Sequence, residues 1–184
     1  MRHLPIRHLL IAATVAGGPL VAGAAQAQCV GVLRDGTFEA QRIGTVSAPW
    51  IAEGSAGMDV GRGLAHGGRN NAWARRNTGW NAIRQPVRLI AGVTYTLRAF
   101  VRTSENVRDG YFGFRDAAQH PVSEVKFGPL PAYGELRVTF RPTVTGPYNV
   151  FAGFWAPNQD AWIQVDDVRV TTPCNDTAAN PVDG

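Results

Sequence analysis

Apolar and polar residues alternate along much of the chain, and this period of two is its main structural signal. The alternation is clearest in residues 82–89, 94–103, 134–141 and 147–155. Because successive side chains of a strand point to opposite faces, each segment is predicted to be a half-buried β-strand. Shorter strands are predicted at residues 36–43, 46–51, 58–60, 72–76, 110–115 and 122–127, and a closing strand at residues 162–170.

Turn dipeptides punctuate the predicted strands, and helical periodicity is nearly absent. Ala91-Gly92, Gly128-Pro129 and Gly146-Pro147 lie between neighbouring strands, and pairs of this kind mark turns. Many short strands separated in this way are typical of sandwiches and jelly rolls. The sequence therefore predicts an all-β protein, an antiparallel β-sandwich of the jelly-roll type.

One predicted strand, residues 147–155, carries aromatic side chains on both faces. Tyr148 and Phe154 share one face, and Phe151 and Trp155 share the other. A strand in a sandwich with one buried face needs only one apolar side. One of the two aromatic faces is therefore available for a role other than core packing.

The closing strand, WIQVDDVRV, contains adjacent acids and a break in its alternation. Ile163 and Val165 share one face, whereas Val168 and Val170 fall on the other. All four reach the core only if one extra residue is inserted near the Asp-Asp pair. Such an insertion is a β-bulge, which re-aims side chains and often lies beside a site.

The first 27 residues have the pattern of a secretory signal peptide. Two arginines precede a short apolar core, and Ala25-Gln26-Ala27 fits a cleavage site before Gln28. We therefore expect a secreted or periplasmic protein with one β-sandwich domain at residues 28–174 and a disordered polar tail at residues 175–184. Glycines and a proline interrupt the apolar stretch, so no membrane span is expected.

The charge pattern argues against nucleic acid as a partner. The formal net charge is +4 at pH 7, with seventeen arginines and one lysine. These residues are scattered among acids, whereas a nucleic-acid footprint would be clustered. We therefore do not expect nucleic-acid binding.

The two cysteines, Cys29 and Cys174, flank nearly the whole predicted domain. In an oxidising compartment two cysteines most simply pair, so a disulfide is predicted between them. Two free thiols are the alternative. No spacing of cysteine and histidine indicates a zinc site.

An ordered set of segments resembles a known family of secreted domains. These segments are DGTFE at residues 35–39, GLAHGG at 63–68, IRQPV at 83–87, AGVTYTL at 91–97 and VDDV at 165–168. In this order they resemble carbohydrate-binding modules of the galactose-binding-like β-sandwich superfamily, near families four, nine and twenty-two. The resemblance covers about residues 29–174 and implies a jelly roll whose terminal strands lie close together.

The resemblance also implies a structural calcium ion. In such modules the ion is held by an acid of the GxFE type and an acid of the DDV type, and the matching positions here are Glu39, Asp166 and Asp167. Calcium takes several oxygen ligands, so carboxylates with nearby carbonyls suit it. The alternative is that Asp167 pairs with an arginine such as Arg42 or Arg169.

Sugar binding by such modules is mostly aromatic, because a flat ring stacks on the apolar face of a pyranose while polar neighbours bind its hydroxyls. Arginine provides several donors from one planar group. The candidate ligand-binding residues are Trp73, Arg75, Trp80, Arg84, Tyr111, Arg115 and Trp155. Packing in the sandwich is the alternative role for each tryptophan. We expect a monomer that binds a polysaccharide or glycan on a sheet face and its adjoining loops.

Catalysis finds little support in the sequence. GxSxG, HExxH and P-loop motifs are absent. Two acids could serve a glycosidase, but none of the available acids has a recognisable partner: Glu53, Asp59, Asp109, Glu124 and Asp160. We therefore predict a non-catalytic module. The alternatives are a protein-interaction or cell-surface assembly module on the same fold and a jelly-roll enzyme that acts on glycans.

Overall fold

The computed structural model describes residues 32–173, and these form two antiparallel sheets. The predicted all-β sandwich is therefore confirmed. The strands are β1 Ile51–Glu53, β2 Ala56–Val60, β3 Asn70–Arg76, β4 Trp80–Leu89, β5 Tyr95–Thr103, β6 Asp109–Arg115, β7 Pro121–Phe127, β8 Gly134–Phe140, β9 Gly146–Trp155 and β10 Ala161–Thr171.

Each sheet contains strands from distant parts of the chain. The first sheet has the order β1-β4-β9-β6-β7, and the second has the order β2-β3-β10-β5-β8. The long strands β4 and β9 pair along their full length, from Trp80 opposite Trp155 to Leu89 opposite Gly146. The closing strand β10 lies at the centre of the second sheet, between β3 and β5. Both sheets therefore offer an outer face that spans several strands.

The core lies between the sheets and consists of the predicted alternating faces. Ile83, Val87 and Leu89 of β4 are buried there, as are Leu97 and Val101 of β5. Removing such side chains from water is the main favourable term in folding. The opposite side chains of the same strands form the outer faces, and these carry the candidate site residues.

The predicted bulge in the closing strand is present. The pairing of β10 with β5 shifts register between Asp166 and Arg169, and Asp167 has a positive φ of 49°. Val165 and Val168 both belong to the buried core, although three positions apart in a regular strand would place them on opposite faces. The extra residue therefore restores the apolar phase, as the sequence predicted.

The two strands predicted before residue 51 are not formed. Residues 36–43 are turns and bends, and β1 begins only at Ile51. Asp35 and Phe38 have positive φ values of 48° and 59°, which a strand does not allow. Phe38 is fully buried and its ring packs 5.0 Å from that of Trp50. The apparent alternation arises because large side chains enter the core from turns.

Several predictions fall outside the described residues. They are the signal peptide at residues 1–27, the tail at residues 175–184, the exact domain ends and the Cys29–Cys174 disulfide, and they stay predictions. Within residues 32–173, no helix has the length and apolar character needed to cross a membrane.

Candidate functional site

The predicted ligand-binding residues divide between the two outer faces of the sandwich. Trp80 and Arg84 lie on β4, Tyr111 and Arg115 on β6, and Trp155 on β9, so adjacent strands of the first sheet bring these five together. Trp73 and Arg75 lie on β3 of the second sheet. The structure therefore presents two candidate sites where the sequence predicted one.

The larger group forms an aromatic surface on the outer face of the first sheet, here called the platform. Its centre is Trp80, whose ring centroid lies 6.3 Å from that of Tyr111, 6.1 Å from Phe151 and 5.7 Å from Trp155. Trp155 is 54% exposed, and Trp80 and Tyr111 are half-buried. Partly exposed rings on one sheet face provide the flat apolar surface that stacking requires.

A single carboxylate, Glu53, ties the platform together. Its Oε2 accepts a hydrogen bond from the indole Nε1 of Trp80 at 2.7 Å and one from Nη1 of Arg115 at 3.2 Å. Its Oε1 accepts a hydrogen bond from Nε of Arg84 at 2.8 Å. All three charged side chains are mostly buried, at 14% to 23% exposure. Charge-assisted hydrogen bonds in such surroundings are stronger than exposed ones and hold the rings in place.

The two arginines of the platform are held by different contacts, Arg115 by rings and Arg84 by hydrogen bonds. The guanidinium carbon of Arg115 lies 3.9 Å from the ring centroid of Phe151 and 4.7 Å from that of Trp80. Arg84 donates from Nη1 to the side-chain oxygen of Asn149 at 3.0 Å. Stacking and hydrogen bonding fix both guanidinium groups before any ligand arrives, which lowers the cost of binding.

A glycine explains why the Trp80 ring can lie where it does. A Cβ on Gly153 would lie 2.4 Å from the Cβ of Ala82 and 2.6 Å from Cζ2 of Trp80. Real side chains essentially never approach so closely, so only glycine leaves room for the indole. Gly153 therefore belongs to the platform although it contributes no side chain.

The second group lines a cavity of about 550 Å³ on the outer face of the second sheet, here called the pocket. A continuous row of opposed residues crosses four strands beneath it: Gly57, Trp73, Gln164 and Arg102. Trp162, two positions before Gln164, adds a second indole, and residues 44, 62 and 64 contribute loop walls.

Arg75, one of the predicted ligand-binding residues at the pocket, already forms an ion pair with Asp160. Arg75 donates from Nε to both oxygens of Asp160, at 2.9 and 3.1 Å. This hydrogen bonding holds the pKa of the Asp160 carboxyl below its ordinary value and raises the pKa of Arg75. Arg75 is therefore fixed at the pocket rim, and it is less available to a ligand than the sequence implied.

The three predicted metal ligands lie around one loop, at residues 66–70. Oε1 of Glu39 accepts backbone N–H groups of Arg69 and Asn70 at 2.8 and 2.9 Å. Oδ2 of Asp166 accepts those of His66 and Gly67 at 2.8 and 3.0 Å. Burial raises the pKa of Asp166 to about 6, although these N–H donors act in the opposite direction. The acids thus anchor the loop to the turn before β1 and to the bulge of β10.

The contacts of these three acids bear on the predicted calcium site. The ion takes several oxygen ligands that point inward at one centre. Within residues 32–173, no group of three or more acid, histidine or cysteine side chains is arranged to hold a metal. Asp167 contacts His66, at 2.8 Å between Oδ2 and Nδ1, and Arg169, at 3.5 Å. In the described residues the carboxylates of Glu39, Asp166 and Asp167 therefore bind backbone N–H groups, His66 and Arg169, and calcium binding by them stays a prediction.

The structure adds residues that sequence reasoning did not select as ligand-binding. On the platform these are Glu53, Asn149 and Phe151, and at the pocket they are Arg102 and Trp162. The aromatic second face of β9 was a usable signal for Phe151. Glu53 gave none, because it lies in a three-residue strand too short to show alternation.

Sequence comparison assigns no family, since neither a protein-family model nor a curated protein sequence matches the chain. Solved structures do match. The module TmCBM61 in complex with β-1,4-galactotriose has a TM-score of 0.57 at 18% identity, over 78% of this chain and 99% of the module. The C-terminal family 22 carbohydrate-binding module of Clostridium thermocellum Xyn10B has a TM-score of 0.52 at 18% identity, over 77% and 93%.

An enzyme also contains this fold. MgGH51, an arabinose-bound α-L-arabinofuranosidase, has a TM-score of 0.61 at 12% identity. The match covers 78% of this chain but only 26% of the enzyme. At these identities the likeness concerns the fold. The chain has the β-sandwich fold of carbohydrate-binding modules, as the resemblance in its sequence predicted.

Proposed function

We propose that this chain is a secreted, non-catalytic carbohydrate-binding module that binds a glycan chain on the platform. The observation that carries the proposal is the cluster of rings around Trp80 beside the Glu53–Arg84–Arg115 network. Rings and fixed charges alternate there on one partly exposed sheet face, and sugars need both kinds of contact. Secretion is supported by the signal-like pattern of residues 1–27, and we propose that the module is a monomer.

The platform supplies each contact that a pyranose requires. Trp155, the most exposed ring, offers a face for the apolar C–H groups of a sugar, and Tyr111 lies on the neighbouring strand. Arg84 and Arg115 carry N–H groups that can donate to hydroxyls. Glu53 can accept from a hydroxyl through its remaining lone pairs. All of these groups lie on strands of one open sheet face. The surface therefore suits the middle of a glycan chain.

The fold neighbours support this direction. TmCBM61 was solved with β-1,4-galactotriose, which makes that trisaccharide a reasonable first probe for this chain. It is a probe only, since the likeness at 18% identity does not carry over the ligand.

Three of the acids that the sequence offered for catalysis support a non-catalytic role. A glycosidase needs one carboxyl group that is protonated and free to donate. Here Glu53 is bound by two arginines, Asp109 is paired with Lys126 at 2.5 Å and Asp160 is paired with Arg75. Carboxylates held in this way are not free to donate to a glycosidic oxygen.

Binding should be tested with insoluble and soluble polysaccharides, including β-1,4-galactan, and by calorimetry with β-1,4-galactotriose. We expect Trp155→Ala to weaken binding to the retained glycan at least about tenfold, since truncation of an exposed tryptophan anchor commonly costs that much. The matched control is Ile90→Ala, because Ile90 is similarly exposed at 56% but lies just after the end of β4 that is remote from Trp80.

Two results would overturn the proposal. One is that no glycan in the panel is retained by the folded protein. The other is that Trp155→Ala and Ile90→Ala bind alike. Ring truncation at an exposed position should leave folding intact, which a thermal melt of both variants verifies.

A protein-interaction module is the second candidate, and the distribution of exposed apolar residues argues against it. A protein interface would show a contiguous apolar patch. On the platform the rings are interrupted by the polar network of Glu53, Arg84 and Arg115. The exposed aliphatic side chains within residues 32–173 are spread over several turns and strands: Ile43, Ile51, Leu64, Ile90, Val122 and Val144.

Calcium binding by Glu39, Asp166 and Asp167 stays a prediction of the family resemblance. It requires these carboxylates to turn from backbone N–H groups toward a shared ion. Thermal melts with calcium and with a chelator test it, and the prediction is a higher melting temperature with calcium and a lower one with chelator. Identical melts would assign the three acids to anchoring of the loop at residues 66–70 alone.

A further inference from the structure

The pocket on the second sheet has the size and lining of a small-molecule site, and the proposed function does not use it. Its volume of about 550 Å³ falls well inside the range of roughly 300–1,000 Å³ that is usual for ligand pockets. It lies across the sandwich from the platform, because its strands β2, β3, β10 and β5 belong to the other sheet.

Two indoles supply the apolar walls. Trp73 lies opposite Gln164, and Trp162 lies opposite Arg75, so both rings project from the same outer face one strand apart. Both are half-buried. A Cβ on Gly57 would lie 2.4 Å from Cζ2 of Trp73, so this position must be glycine for the ring to lie there. The pocket and the platform thus share one packing arrangement, in which a tryptophan ring lies against a glycine of the neighbouring strand.

A buried chain of hydrogen bonds forms the floor. Nε of Arg102 donates to the side-chain oxygen of Gln164, and Nε2 of Gln164 donates to Oδ2 of Asp59 at 2.9 Å. Asp59 and Gln164 are each only 7% exposed. A buried polar chain costs stability unless every member is satisfied. Here it fixes the orientation of Arg102, which a purely structural sheet face would not need.

The guanidinium group of Arg102 is held between two rings. Its carbon lies 5.0 Å from the ring centroid of Tyr133 and 6.0 Å from that of Trp162. Its Nη2 reaches the carbonyl of Leu64 at 3.3 Å, whereas within residues 32–173 no acid forms an ion pair with it. The group is therefore positioned, charged and uncompensated.

A second arginine adds positive charge at the rim. The side chain of Arg62 is 72% exposed, and its Nε lies 3.9 Å from Oδ1 of Asp59, a loose contact. Oδ2 of Asp59 is already bound by Gln164 at 2.9 Å and Asn71 at 3.3 Å, so this carboxylate offsets the charge of Arg62 only in part. The lining therefore favours a ligand that combines a flat apolar face with an anionic group.

We propose that the pocket is a second saccharide site, which takes a pyranose carrying a carboxylate, a hexuronic acid residue. The sugar ring packs against Trp73 and Trp162, and the carboxylate binds Arg62 and Arg102. The planar fork of a guanidinium group matches a carboxylate with two parallel hydrogen bonds. The site is independent of the platform, and the proposal stands whether or not the platform binds glycan.

The five tryptophans of the chain provide the assay. In a ¹H–¹⁵N spectrum of residues 28–184, the indole N–H signals of Trp73 and Trp162 report the pocket, and those of Trp80 and Trp155 report the platform. Trp50 is buried, with its Nε1 bound to the carbonyl of Asp35 at 2.8 Å, and serves as the internal control. Titration with D-galacturonate and with D-galactose compares two sugars that differ at C6, where one carries a carboxylate.

The expected result is that D-galacturonate shifts the signals of Trp73 and Trp162 saturably and leaves that of Trp50 unchanged. D-galactose should bind the pocket at least about tenfold more weakly, because it lacks the charge-assisted hydrogen bonds. The proposal is overturned if galacturonate moves neither pocket signal, if it moves only those of the platform, or if both sugars bind the pocket equally well.

A matched pair of variants separates specific recognition from net charge. Arg62→Gln should weaken galacturonate binding about tenfold, because one charge-assisted hydrogen bond is lost. The substitution should not disturb the fold, because the Arg62 side chain is exposed. Arg88→Gln removes one positive charge at an exposed position of β4 in the other sheet and should bind as the unaltered chain does. Equal losses in both variants, or no loss in Arg62→Gln, would contradict the assigned contact.

Discussion

The platform and the pocket use the same parts in opposite ways. In each, an indole lies over a glycine of a neighbouring strand, Trp80 over Gly153 and Trp73 over Gly57. On the platform one carboxylate, Glu53, faces two arginines and satisfies both. At the pocket the carboxylate of Asp59 accepts a hydrogen bond from Gln164. Within residues 32–173 no acid forms an ion pair with Arg102. The same residue types therefore make a balanced surface on one side and a positive cavity on the other.

Their shapes differ because loops contribute to only one of them. The platform is built from β1, β4, β6 and β9, and its named residues all lie on strands. The pocket adds walls from residues 44, 62 and 64, which lie between strands. An open sheet surface suits the middle of a polymer, whereas a walled pocket suits a single residue or a chain end. One sandwich therefore presents two surfaces of different shape without enlarging its core.

The largest effect is expected from Glu53→Gln. This change leaves Arg84 and Arg115 without a counter-charge in half-buried surroundings, and it removes one of two acceptor oxygens. We expect a loss of about 2–3 kcal/mol in the free energy of unfolding, at the lower end of the cost of breaking a buried pair, together with loss of binding on the platform. Urea denaturation and calorimetry measure both.

The control for this change is Glu105→Gln, at an exposed glutamate in the turn after β5. It should alter neither stability nor binding. If Glu53→Gln is as stable as Glu105→Gln, the network around Glu53 does not hold the platform. If the pocket signals of Trp73 and Trp162 also change, the two faces are not independent.

A smaller and more selective effect on stability is expected from substitution of Gly153 and Gly57, the glycines that lie against the indoles of Trp80 and Trp73. Gly153→Ala places a Cβ 2.6 Å from the ring of Trp80, and Gly57→Ala places one 2.4 Å from the ring of Trp73. Each should displace its own indole and cost about 1–3 kcal/mol, the usual range for overpacking. We expect Gly153→Ala to change the Trp80 indole signal and Gly57→Ala to change that of Trp73.

The most informative measurement is the effect of each glycine variant on the indole signal of the opposite face. Each variant should leave the indole signal of the opposite face where it is in the unaltered chain. A shift of both signals in either variant would show that the core transmits the change, and the comparison of two separate sites would then fail.

The smallest effect is expected from Asp160→Asn. This change breaks the Arg75–Asp160 pair, whose side chains are 60% and 58% exposed. Exposed ion pairs contribute little because water and salt screen them. We expect no measurable change in the free energy of unfolding by urea denaturation, in contrast to the loss in Glu53→Gln. A clear loss would mean that the rim of the pocket is more rigid than its exposure implies.

The strands and their buried faces could be read from the chain because period two is a local property. Alternation placed Ile83, Val87 and Leu89 in the core, and the phase break at Asp166 and Asp167 located the bulge. The strand predicted at residues 36–43 was wrong because a local pattern cannot distinguish a strand from a turn with the same spacing. A turn that inserts Phe38 into the core produces the same spacing of apolar residues as a strand, and only positive φ values distinguish the two.

The candidate residues were identifiable by type, but their grouping was not. Trp73 and Trp80 are seven positions apart, and their proximity in the chain predicts one site, yet β3 and β4 belong to different sheets whose outer faces point away from each other. Conversely, Glu53 and Arg115 are 62 positions apart and share a hydrogen bond. Sheet order decides such groupings, and no local pattern encodes it.

The sequence by itself determined that this protein is an all-β sandwich and which side of each long strand is buried, and it singled out the aromatic and arginine residues that are proposed to bind a ligand. These depend on side-chain chemistry and on a two-residue repeat, both of which are visible along the chain. Only the tertiary structure decided that these residues form two surfaces, that Glu53 balances one and that Arg102 charges the other. Those facts depend on which strands lie side by side, and that order is set by the packing of the whole core.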